Sequence, residues 1–141
     1  MAIFLTSSPT GPLDNSRKVD GLDKMNHFVD QLKKYWKDNS KCCIIAASPD
    51  DYNENDEMCN FFKEVFFKEN LSIECLNLID ERYSNFTKDD LMNYDVILLG
   101  GGHVPTQNNF FKEIQLREKI KDFDGIIIAI SAGSMNSADI V

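Results

Sequence analysis

Three short segments of this chain combine small, hydroxyl-bearing and glycine residues in ways that suit chemistry on a carbonyl or phosphoryl group. They are Thr6-Ser7-Ser8-Pro9-Thr10-Gly11, Gly100-Gly101-Gly102-His103 and Ser131-Ala132-Gly133-Ser134. The last is the sharpest. A nucleophile elbow sets a serine on a strained strand-to-helix turn that accepts only small residues two positions before and two after it. Ala129-Ile130-Ser131-Ala132-Gly133 meets that requirement with alanine in the first small position, whereas centring the turn on Ser134 would put Asn136 where a small residue is needed. Ser131 is therefore the candidate nucleophile, against a competing reading in which it only caps the helix that follows. Three consecutive glycines leave backbone N–H groups open to a ligand, and acyl transfer needs such donors for the developing oxyanion. The amides of Ala132 and of Gly101 or Gly102 are the candidates, against a plain tight connection between strand and helix. His103 lies beside them and reads as a substrate-binding or structural residue rather than a general base; the other histidine, His27, reads as a surface residue.

The elements that must position these segments follow from hydrophobic periodicity. Short β-branched runs near 2 to 6, 41 to 47, 72 to 78, 94 to 99 and 125 to 130 alternate with stretches at helical spacing, which predicts an α/β fold. Nearly continuous apolar strands such as Val96-Ile97-Leu98-Leu99 and Ile126 to Ile130 fit parallel strands covered on both faces, a three-layer sandwich with a mostly parallel sheet. Met25, Phe28, Val29, Leu32 and Trp36 predict a helix over 20 to 38. Met58, Phe61, Phe62, Val65 and Phe66 predict another over 54 to 69, with Asn53 as its N-cap. A short helical turn over 88 to 93 and a helix over 106 to 120 complete the pattern. In an open parallel sheet ligands gather at the carboxyl ends of the strands, which is where all three segments fall.

Composition narrows the function classes. The chain has 141 residues, with 15 Lys+Arg against 23 Asp+Glu and a formal net charge of −8, so it reads as one domain that repels phosphate backbones. No basic stripe offsets that field, which argues against nucleic acid. No apolar run approaches the roughly 20 residues of a membrane helix, and the N-terminus lacks a basic leader, so the expected location is the cytoplasm. The four cysteines sit at no zinc-type spacing, and adjacent Cys42 and Cys43 must face opposite sides of a strand. They read as reduced, mostly buried thiols, with no metal.

An apolar strand, three glycines, a helix, a second apolar strand and then Ser131-Ala132-Gly133-Ser134 resembles the peptidase E (aspartyl dipeptidase) family of serine peptidases, which has the class I glutamine amidotransferase-like fold. The resemblance spans the chain in element order, and its specific residues are Gly100 to Gly102 and Ser131 to Ser134. It implies Ser131 as nucleophile and the glycine loop, Gly100 included, as oxyanion and substrate wall. It also implies a cytosolic exopeptidase acting on short peptides, with neither metal nor organic cofactor. Family members follow the glycines with Asn, where this chain has His103, and their catalytic His lies downstream of the serine, whereas only ten residues follow Ser131 here. Together with the apolar pair Ile140-Val141 at the end, this leads to the expectation of a C-terminally truncated chain that is inactive alone. The alternatives are a catalytically inactive fragment and a flavodoxin-like binding domain using Thr6 to Gly11 as a phosphate loop, although Pro9 and Pro12 remove amides such a loop would use.

Overall fold

The computed structural model describes residues 1–9, 21–22, 27–138 and 140. Five strands form one sheet: β1 (Ala2–Thr6), β2 (Ser40–Ile45), β3 (Ile73–Ile79), β4 (Val96–Leu99) and β5 (Ile126–Ile130), in the order β1-β5-β4-β2-β3. Every pairing is parallel. The strands fall where the apolar runs predict them; β4 and β5 are buried at every position, whereas β1 leaves Ile3 and Leu5 exposed on one face. All five residues of β5 are buried between β1 and β4, and each large side chain there contributes about 1.5–3 kcal/mol by leaving water.

Helices cover both faces. On one, α1 (Phe28–Tyr35) supplies Val29 and Leu32, and α2 (Tyr52–Lys68) supplies Cys59, Phe62, Val65 and Phe66, against Cys42, Ile44, Val96, Leu98 and Ile128. On the other, α3 (Lys88–Met92), α4 (Val104–Glu113) and α5 (Leu116–Ile120) pack Leu91, Phe110, Phe111, Leu116 and Ile120 against Cys43, Ile45, Ile97, Leu99 and Ile127. Cys42 and Cys43 thus sit in different cores, as their adjacency in a strand requires. Cys42, Cys43 and Cys59 are buried, Cys75 is half-buried, and all four are free thiols.

Three details differ from the expected elements. The stretch over 106 to 120 is two helices: Gln115 takes a left-handed conformation, φ 55°, and turns the chain between them. The N-cap of α2 is Asp51, and Asn53 lies inside the helix, so the helix begins two residues earlier than its apolar stripe announces. The expected helix over 20 to 38 is shorter at both ends, since Gly21 and Leu22 are not helical and α1 stops at Tyr35 with Trp36 extended; Met25, Thr10 to Pro12 of the first loop and Val141 lie outside the described residues. Ile140 is buried in the second core.

Connections give the sheet its geometry. From β2 the chain steps outward to β3, returns over β2 to β4, and continues to β5, so the winding reverses between β2 and β4. A crevice at the carboxyl ends of strands opens where such a reversal occurs. No described helix is long and apolar enough to cross a membrane.

Candidate functional site

Ser131 follows the last residue of β5 and precedes α6 (Ala132–Ser137). Its backbone sits at φ 49°, ψ −107°. Of the other described non-glycine residues with positive φ, His27, Asn39, Asn70 and Asp122 are of types that tolerate it, and Gln115 turns the chain between two helices. A serine in this region costs about 1–3 kcal/mol of strain and persists only where its surroundings impose it. Two hydrogen bonds do so. Ser131 N–H donates to Thr6 O at 2.7 Å, and its carbonyl accepts from Met135 N–H at 3.2 Å. Ser131 stands at the N-cap position of α6, but its side chain makes no capping bond there, and the residue is exposed.

Small residues around the turn have visible causes. A Cβ on Gly133 would overlap the Leu99 carbonyl oxygen and come 2.8 Å from Leu99 Cβ, so α6 rests directly on the end of β4. Ser134 is occupied structurally. Its Oγ accepts from Thr6 N–H at 3.1 Å and lies 2.9 Å from both Thr6 O and Ala129 O, where its single proton is donated. This ties the ends of β1 and β5 to the elbow helix.

The three glycines follow β4 and lie between the ends of β2 and β5. Gly100 is buried and both its backbone groups are paired, the N–H with Ile45 O at 2.9 Å and the carbonyl with Gln107 Nε2 at 2.6 Å. It anchors the loop. Gly101 stands against the elbow: a Cβ there would lie 3.4 Å from Ser131 Cβ and 3.5 Å from Ile130 O. Gly102 turns toward β2, where a Cβ would come 2.7 Å from Ala47 Cβ. The N–H groups of Gly101, Gly102 and Ala132 have no partner among the described residues. The structure therefore brings Ser131, Gly101 and Ala132 together, with Gly102 one residue on.

His103 is the residue before α4 and is exposed, with ring Nδ1 2.8 Å from Thr106 Oγ1. His27 is exposed at the start of α1, its Nδ1 3.7 Å from Asp30. No trio of His, Cys, Asp or Glu placed to hold a metal ion occurs among the described residues.

Two residues of the site escape sequence reasoning. Gln107 is fully buried on α4, and Asn136, 3% exposed on α6, donates from Nδ2 to Gln107 Oε1 and to Val104 O, both at 3.1 Å. The one signal in the sequence is a glutamine three and four residues before Phe110 and Phe111, on the inward stripe of a helix. Farther along the carboxyl edge, Asp80 is fully buried after β3 and holds Arg82, whose guanidinium also reaches Asp56 at 2.8 Å. Compared with known proteins, the chain matches no protein-family model and no curated protein.

Proposed function

We propose that this chain carries the nucleophile and oxyanion donors of a serine exopeptidase resembling peptidase E, on a class I glutamine amidotransferase-like variant of the flavodoxin-like fold. The single observation that carries the reading is the backbone of Ser131, strained at φ 49°, ψ −107° at the end of a buried central strand, with its hydroxyl free of any capping duty. A serine serving only as a helix cap has no use for that strain.

In this reading Ser131 Oγ attacks the scissile carbonyl carbon of a short peptide, possession of the Oγ proton passing to a general base. The negative charge that develops on the carbonyl oxygen is met by the N–H groups of Ala132 and Gly101, with Gly102 adjacent. Collapse breaks the peptide C–N bond, the amine leaves with the proton, and water releases the acyl group from Ser131. His103 stands at the edge of the glycine loop, placed to contact the substrate. The resemblance puts the family's base downstream of the serine. The reading calls for no metal or organic cofactor, and the cytoplasm is the proposed location.

The test is intact-mass spectrometry of the protein and of Ser131→Ala after incubation with a serine-directed phosphonate, with cleavage of aspartyl dipeptides measured alongside. A protein that cleaves aspartyl dipeptides is expected to gain one label, lost in Ser131→Ala. Labelling or peptide cleavage that persists in Ser131→Ala would overturn the proposal.

A further inference from the structure

Glycine's lack of a side chain lets the loop approach Ser131 closely, but it also removes what would stop a peptide between two glycines from turning over. The peptide joining Gly100 and Gly101 holds the Gly100 carbonyl and the Gly101 N–H in one plane, pointing in opposite directions. Whatever holds the carbonyl therefore sets the direction of the N–H. The holder is Gln107, fully buried, with Nε2 2.6 Å from Gly100 O.

The polarity of this contact is fixed from its far end. Val104 O can only accept, so Asn136 must present its NH2 group there, at 3.1 Å. The same NH2 group donates to Gln107 at 3.1 Å, so Gln107 must offer its oxygen to Asn136 and its own NH2 to Gly100. Asn136 belongs to α6, the helix whose first residue is Ala132. One relay thus references the two oxyanion donors to each other, Ala132 through the helix and Gly101 through the locked peptide. From this geometry we infer that Gln107, seated by Asn136, is a positioning residue that keeps the Gly101 N–H turned away from the core and open to the space beside Ser131. Its catalytic meaning rests on the proposed acyl-transfer reading; the orientation itself does not.

The experiment separates the two. Residual dipolar couplings of the Gly101 and Ala132 N–H groups are measured in the isotope-labelled chain and in Gln107→Met and Asn136→Ala, the latter leaving Gln107 in place should the former fold poorly. In both variants the Gly101 coupling is expected to collapse toward an average over two peptide orientations while that of Ala132 holds. With a peptide substrate, kcat is expected to fall about 10²-fold at nearly unchanged KM, the cost of one lost oxyanion donor. An unchanged Gly101 coupling in a folded variant overturns the inference whether or not Ser131 reacts. A collapsed coupling in a protein whose Ser131 takes no label supports the positioning role and sinks the peptidase reading instead.

Discussion

Replacing Gly133 by alanine sets two effects of opposite sign against each other. Gly133 lies in the first turn of α6, where alanine is worth up to about 1 kcal/mol over glycine in helix propensity. The added methyl, however, would overlap the Leu99 carbonyl oxygen and reach 2.8 Å from Leu99 Cβ, against backbone that has no rotamer to escape into. Overpacking of this kind costs about 1–3 kcal/mol, and a rigid neighbour puts this case at the upper end. The expected balance is a loss of about 2 kcal/mol after the propensity gain is subtracted. With an unfolding entropy of about 2.1 cal/mol/K per residue over 141 residues, that lowers Tm by about 7 °C. Thermal unfolding followed by circular dichroism, with urea titration as a second measure, reads the difference. A Gly133→Ala protein as stable as the parent would mean that propensity wins and that α6 is not seated on β4, and the positioning of Ser131 would lose its foundation.

Gly101 should behave differently, because a Cβ there sits at 3.4 Å from Ser131 Cβ, close to ordinary contact. Gly101→Ala is expected to change stability by less than about 1 kcal/mol, whereas Gly101→Val keeps the fold but crowds Ser131 and lowers peptide cleavage about 10²-fold; equal activity of the two variants would contradict this. Native protein treated with Ellman's reagent should release one thiol quickly, from half-buried Cys75, and lose that phase in Cys75→Ser. Burial pushes the thiols of Cys42, Cys43 and Cys59 up, so they should react only on unfolding. The Arg82 guanidinium hydrogen-bonded to Asp56 holds that carboxyl below its usual range, so the pair stabilises the fold above the unfolded carboxylate pKa of about 4 and ceases to do so as pH falls through the lower folded value. The stability gap between the parent and Arg82→Met, from urea titrations, should accordingly be wider at neutral pH than in strong acid.

The strands were legible because a strand covered on both faces must be apolar at every position, which is how β4 and β5 read. The break at Gln115 was not: the stripe of Phe110, Phe111, Ile114 and Ile120 runs through it, and a left-handed glutamine carries none of the glycine signal that marks most such turns. Asp51 capped α2 ahead of Asn53 without a side-chain bond to announce it. At the site, Gly133 was readable because steric exclusion leaves a mark on residue type. The relay from Asn136 to Gly100 left almost none, since α4 and α6 meet only in three dimensions and a buried amide looks like any surface one in a one-dimensional pattern.

The pairing of β1 with β5 sets a schedule for synthesis. Ala2 to Thr6 are made well before their partners, Ile126 to Ile130, and Thr6 also receives the Ser131 N–H. At about 5–20 residues per second, the first strand waits on the order of 6–25 s for the fifth. During that wait an unpaired apolar segment is exposed while β2, β3 and β4 already have one another. The elbow cannot take its strained shape until both ends of the described chain have met, so a nascent polypeptide carries no formed site, and lesions in residues 2 to 6 should show first as a folding defect and a need for chaperones.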